Sequence, residues 1–177
     1  MALSTWNIDA SHSSVGFSVR HLVIAKVHGK FTKLSGAVKL DEQNLAASEV
    51  SVTLEAASID TSDAKRDEHL RSADFFDVAA HPELTFASKR IEKTGSDAFK
   101  VTGDLSIHGV TKEIAVDVEY SGKGKDPWGN ERVAFTGKTS INRTDFGLKW
   151  NQALEAGGVL VGEKIEISFD IQAVKAA

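Results

Sequence analysis

The chain has 177 residues, 41% of them hydrophobic and 26% charged, with a formal net charge of −4. A single domain of that size buries its core without staples, and with no cysteine it has no disulfide, thiolate nucleophile or cysteine-type zinc site. Lysine and arginine are dispersed rather than clustered, which excludes the electrostatic footprint of a nucleic-acid binder.

The first residues, Met1 to Asp9, lack a basic start and an apolar stretch. As written they are no secretory signal, so the expected compartment is the cytoplasm, or the periplasm for a mature form. From residue 14 onward the dominant pattern is alternation with period two. Val15, Phe17 and Val19 alternate with Ser14, Gly16, Ser18 and Arg20. Val27 and Phe31 share one parity and Leu34, Val38 and Leu40 the other, a slip that a β-bulge would correct. Val50, Val52 and Leu54 form the next apolar face.

Thr61-Ser62-Asp63 is then a run of N-cap formers before the helical stretch Ala64 to Arg71, so a short helix is expected near residues 62–71. It is too short and polar to stand alone. Leu70, Phe75 and Phe76 must anchor it, and His81-Pro82 closes the segment. Leu84 and Phe86 resume the alternation, with a second slip before Ile91. Phe99, Val101, Leu105 and Ile107 lead through His108-Gly109, a turn with almost no loop, to Ile114, Val116, Val118 and Tyr120. A turn-rich loop covers Gly122 to Asn130. Val133, Phe135 and Ile141 follow, then a non-strand stretch from Asn151 to Gly158, and finally Ile165, Ile167, Phe169 and Ile171.

Strands with one dry and one wet face indicate an antiparallel sheet. Their number, about eight, closes into a small barrel without open edges. The fold class is therefore all-β, a single elongated eight-stranded antiparallel β-barrel domain over residues 1–177, with a two-sheet sandwich as the alternative. The helix and the 151–158 stretch are expected to cover a barrel mouth. Gly29, Gly36, Gly103 and Gly137 lie in register with the apolar face. They either remove volume from the interior or relieve crowding where strands coil. An interior of phenylalanines and aliphatics would be dry.

Arg66, Asp67, His69 and Arg71 form the densest polar group. It reads as a headgroup site at a tunnel mouth or as a solvated helix face. Asp9, His12 and His21 match no metal-ligand spacing and read as partners for buried backbone near strand ends. Arg143 and Asp145 read as a pair holding a turn, and His28 and His108 as exposed. There is no nucleophile elbow and no phosphate-cradling glycine loop. No metal and no cofactor are called for.

Several segments carry a resemblance in their order and spacing. They are Ile8-Asp9-Ala10-Ser11-His12-Ser13, His28-Gly29-Lys30-Phe31, Arg66-Asp67-Glu68-His69-Leu70-Arg71, Asp74-Phe75-Phe76-Asp77, His81-Pro82-Glu83-Leu84-Thr85-Phe86, Gly103 to Thr111, and Ile141 to Gly147. Together they resemble the YceI-like proteins of bacteria over nearly the whole chain. The resemblance implies a lipocalin-like barrel that holds a polyisoprenoid, an isoprenoid quinone or a polyprenyl lipid, in an apolar tunnel, and that often forms a homodimer. Many members carry a secretory signal, which this chain lacks as written. Transient membrane contact would accompany loading.

The expected tunnel wall is Val15, Phe17, Val19, Phe31, Val38, Val52 and Leu54 from the first half. Leu70, Phe75, Phe76 and Phe86 continue it, then Leu105, Ile107, Val116 and Val118, and lastly Phe135, Ile141, Phe146, Ile167 and Phe169. Headgroup candidates are His21, Arg66, His69 and Arg143. Two other readings stand beside this one: a lipid-modifying enzyme using His69, His21 or His12, and an interaction module with a solid core.

Overall fold

In the computed structural model, which describes residues 3–154 and 158–176, the alternating segments form one 11-stranded antiparallel sheet. The strands are β1 (Ser4–Ile8), β2 (Ser14–His21), β3 (Ala25–Phe31), β4 (Leu34–Leu40), β5 (Glu49–Glu55) and β6 (Ile59–Asp60). They continue as β7 (Glu83–Lys93), β8 (Ala98–Ile107), β9 (Val110–Lys125), β10 (Glu131–Asn142) and β11 (Val161–Lys175). Hydrogen bonding runs β1-β4-β5-β7-β8-β9-β10-β11, and β11 pairs back onto β1. Eight positions thus close into a barrel. The other three strands prolong positions already counted. β2 follows β1 along β11, β3 pairs with β2, and β6 pairs with β3.

Three of the eight walls are therefore broken in two. The breaks are a 3-10 turn at Ala10–His12, the pair Thr32 and Lys33, and a 3-10 turn at Ala56–Ser58. This corrects one expectation. The parity change between Phe31 and Leu34 is a break in the strand, not a bulge, because β3 pairs with β2 while β4 pairs with β1. The second slip is a bulge: the β7–β8 register shifts between Ser88 and Arg90. It returns Ile91 to the inner face, as the pleat requires.

Helix α1 (Ala64–Arg71) starts where the N-cap run predicts, with the Asp63 carboxylate accepting from the Lys65 and Arg66 backbone N–H groups. It stops at Ser72, whose hydroxyl bonds the His69 carbonyl, and turns fill the chain up to His81-Pro82. The loop expected over Gly122–Asn130 is shorter. Residues through Lys125 continue β9, and the Asp126 carboxylate closes the remaining turn by accepting from Trp128 and Asn130 N–H at 3.0 and 2.9 Å. His108 and Gly109 both have positive φ, 55° and 74°, the geometry a two-residue hairpin turn favours.

The buried core is divided. One cluster is centred on Trp6, Leu40, Val133 and Ala173 near the chain termini. The other, at the opposite end, joins Phe31, Ile59, Leu84, Ile107, Phe146 and Leu148. Residues 61–82, the 3-10 turn Arg143–Phe146 and the segment after it cap this second end. Of the 151–158 stretch, Glu155, Ala156 and Gly157 lie outside the described residues; Ala153 bridges to Val159 beside them.

Candidate functional site: an apolar bore

Between the two clusters lies a cavity of about 280 Å³, against the ~10–15 Å³ that one water needs. Its wall is almost wholly apolar and draws on every barrel strand. On β11 it extends from Val161 to Ile171. At about 3.3 Å per residue and a strand tilt of about 40° this is roughly 25 Å along the barrel axis. The space is a narrow tube, not a sphere. Val15, Phe17, Phe86, Leu105, Val118 and Ile167 point into it and yet are only half-buried. Inward apolar side chains that keep accessible surface are what a hollow barrel produces; in a packed one they would be covered.

Every apolar residue expected on the wall lines this cavity except Phe146. Phe146 is 2% exposed and is packed in the second core cluster, under the cap. Arg143, at the start of the same 3-10 turn, reaches the bore, while Phe146 at its end turns into the core. The interior glycines do more than either reading proposed. Gly29 stands opposite Phe17 on the neighbouring strand, and Gly137 opposite Phe169. A Cβ on Gly137 would lie 2.7 Å from both Cε atoms of Phe169, and one on Gly103 2.7 Å from Cζ of Phe86. Each phenylalanine ring therefore lies over a glycine, flat against the wall, and the axis stays open.

Among the headgroup candidates, only Arg143 lines the cavity. It is 2% exposed and donates to the carbonyls of Gly162 (2.8 Å), Leu148 (2.6 Å) and Val161 (3.3 Å). Burial lowers its pKa from the ordinary arginine value. The expected partner Asp145 forms no ion pair with it among the described residues. Backbone carbonyls of Leu148 and of the start of β11 take that place, because the turn buries the guanidinium against them. The guanidinium carries more donors than these three bonds use, so it can also meet an oxygen in the bore.

The other candidates sit elsewhere. Arg66 folds back on Thr61, donating to its hydroxyl (2.8 Å) and carbonyl (2.7 Å). Asp67 is buried and accepts the Thr61 N–H at 2.9 Å. Arg71 donates to the Ala57 carbonyl at 2.9 Å. These residues bind the helix to the barrel. His69 pairs with Asp74 at 2.9 Å and meets Phe75 and Trp150 edge to face, with ring centroids 5.1 and 4.6 Å away. His21 ends β2 outside the cavity wall.

Asp9 accepts from Ser11 N–H and from Arg132 (2.8 Å), with exposed His12 at 2.8 Å. The Arg132 guanidinium, then the Ser11 hydroxyl and His12, hold its carboxyl well below the usual carboxylate range. His28 is exposed as read, but His108 is half-buried. Trp150, Leu148 and Val161, all at the capped end, were not anticipated. Trp150 lies in a loop without periodicity, and only its packing on His69 and Phe75 identifies it.

Beside the capped end the β2–β3 turn carries Leu22, Val23 and Ile24, which are exposed, Ile24 by 86%. Leu22 N–H bonds the Leu160 carbonyl at 2.9 Å, and exposed Val159 adjoins. Val19 and Val161, just behind this tip, are cavity wall. Leu22 and Val23 have φ of 55° and 68°, a strained conformation for bulky side chains.

Comparison with known proteins agrees with this architecture. The YceI-like domain family matches residues 6–173. A UPF0312 protein of Vibrio parahaemolyticus is 42% identical over 138 residues, covering 78% of this chain and 73% of that protein. One from Pseudomonas putida strain W619 is 36% identical over 167 residues, 94% of this chain and 83% of that protein. Among solved structures, BcnA of Burkholderia cenocepacia superposes with a TM-score of 0.82 at 25% identity, over 93% of this chain and 98% of that one. A polyisoprenoid binding domain from Saccharophagus degradans shares the fold, with a TM-score of 0.72 at 16% identity, over 98% of this chain and 99% of that one. By the span of the family match, the curated relatives and the closed barrel together, this chain belongs to the YceI-like family.

Proposed function

We infer that the protein binds a long-chain isoprenoid, a polyprenyl lipid or an isoprenoid quinone, in its bore and carries or buffers it as a binding protein rather than an enzyme. The observation behind this reading is the tube itself: about 280 Å³ of apolar space walled by half-buried side chains. An apolar tail gains about 0.8 kcal/mol per buried methylene, so ten carbons contribute on the order of 8 kcal/mol before ordering costs. Polar groups on the wall are few, namely Ser48, Glu49, Thr85, Thr139 and Arg143. Affinity would then depend on tail length, and Arg143 is the group suited to a quinone or phosphate oxygen. The polyisoprenoid binding domain from Saccharophagus degradans, which shares this fold, supports the ligand class.

The apolar tip Leu22-Val23-Ile24, continuous with the bore through Val19 and Val161, is the surface that would meet a membrane during loading. The test is extraction of the purified protein with organic solvent followed by mass spectrometry, together with titration of the delipidated protein with quinones of increasing tail length. A co-purified isoprenoid, or affinity that rises with tail length, supports the reading. An empty extract with no quinone uptake refutes it.

A further inference from the structure

Outside the bore, one cluster has the chemistry of a metal site. Asp77, His81 and His108 bring one potential ligand atom each to within 4.8 Å of one another. All three are half-buried. The two imidazole rings meet edge to face, inclined by 64°, with centroids 4.8 Å apart. Among the described residues, none of the three side chains makes a hydrogen bond or ion pair. Polar groups brought together and partly desolvated without partners need an explanation.

The backbone is shaped around them. The His81 N–H bonds the Asp77 carbonyl at 2.8 Å, and this turn sets the two side chains next to each other. Asp77 and His108 themselves have φ of 48° and 55°; the hairpin turn accounts for His108, while Asp77 holds this uncommon conformation in the turn after α1. Two glycines make room for the rings. A Cβ on Gly109 would lie 2.8 Å from His81 Cε1, and one on Gly147 3.0 Å from His108 Nδ1.

We propose that Asp77, His81 and His108 bind a borderline divalent transition ion, of the zinc, cobalt or nickel class. Two imidazoles and a carboxylate are the donors such ions select, whereas calcium and magnesium require oxygen sets. Ligands on a tetrahedral ion stand roughly 3.4 Å apart. Rotation of the side chains by at most about 1.5 Å completes the site and leaves one position open. The ion joins segments that meet nowhere else in sequence: the turn after α1 and the β8–β9 hairpin, with Gly147 of the 3-10 turn alongside. The ligands' chain neighbours Phe76, Val78, Ile107 and Val110, and Phe146 beside Gly147, belong to the core cluster at the capped end. The ion therefore clamps the cap of the bore onto the barrel.

The test uses the full chain, stripped with a chelator and titrated with Zn²⁺ by calorimetry and with Co²⁺ by visible absorption. One ion per chain, a tetrahedral Co²⁺ spectrum and a higher Tm on Zn²⁺ addition are expected. His81→Gln and His108→Asn each weaken binding at least 10-fold, while His28→Gln, at an exposed site, does not. Asparagine tolerates positive φ, so His108→Asn keeps the turn and separates ligation from folding. Wild-type protein with no stoichiometric uptake, or uptake unchanged in both His81→Gln and His108→Asn, overturns the proposal.

Discussion

The bore stays open because phenylalanine rings lie on glycines, so adding a single methyl group at Gly137 should narrow it. A Cβ there meets both Cε atoms of Phe169 at 2.7 Å, where carbon–carbon contact needs about 3.5–4.0 Å. Cζ of the same ring stands closer still, so the ring must retreat by about 1.5 Å, and the open side is the bore. If it displaces space for roughly two methylenes, ligand binding weakens by about 1.6 kcal/mol, a factor of roughly 15. Gly137→Ala should cost about 1–3 kcal/mol of stability from overpacking, although alanine in a strand is otherwise favoured by about 0.5–1 kcal/mol. Quinone titration by intrinsic-tryptophan quenching measures the first effect and urea unfolding the second. Adding Phe169→Leu to Gly137→Ala should recover much of both. If Gly137→Ala binds as tightly as wild type and gains stability, the ring does not hold the wall in this way and the argument fails.

Arg143→Lys should destabilise by about 2–4 kcal/mol in urea unfolding, because a lysine cannot reach three carbonyls in a fork and leaves buried acceptors orphaned. Asp9 has a depressed folded-state pKa, so its stabilising contribution is present above about pH 4 and shrinks as pH falls below that unfolded-state value. Asp9→Asn should then lower Tm clearly at pH 7, with the gap to wild type narrowing by pH 3; a constant gap would show that the ion pair with Arg132 is not the cause. At the tip, Val23→Asn should raise stability by up to about 1 kcal/mol by relieving positive φ. Leu22→Ser with Ile24→Ser should reduce co-flotation with lipid vesicles at least 10-fold at unchanged Tm, and vesicle binding equal to wild type would remove the tip from the loading surface.

Much of this was legible in the sequence, for definite reasons. Alternation such as Ile165-Ile167-Phe169-Ile171 marks one strand face whatever its neighbours do, so the barrel and its inner wall could be read directly. The Asp63 cap is local chemistry, as is the His108-Gly109 turn. What escaped depends on contacts distant in sequence. Ala10–His12 and Ala56–Ser58 carry no breaker, and only the switch of partners from β1 to β2 and from β5 to β6 shows that the walls are split. Arg143 was paired by proximity with Asp145, but its partners are carbonyls up to nineteen positions away. His69 and Arg66 looked like headgroup ligands because charge on a short helix gives no sign of which side faces the bore. His81 and His108 belong to different elements, so their cluster appears only once the hairpin folds beside the helix turn.

The broken walls have a mechanical consequence. Above the breaks, the barrel circumference is stitched continuously by backbone hydrogen bonds from β1 round to β11. Below them, two-residue β6 pairs with β3 on one flank only, and on the other side residues 61–82 complete the ring, tied to it by the Arg71 side chain on the Ala57 and Ile59 carbonyls. The hoop is thus riveted by strand pairing at one level and tied only by side chains at the other. When the tube has to widen for a bulky guest, this seam yields at the least cost, while the fifteen-residue strand β11 holds the opposite side taut.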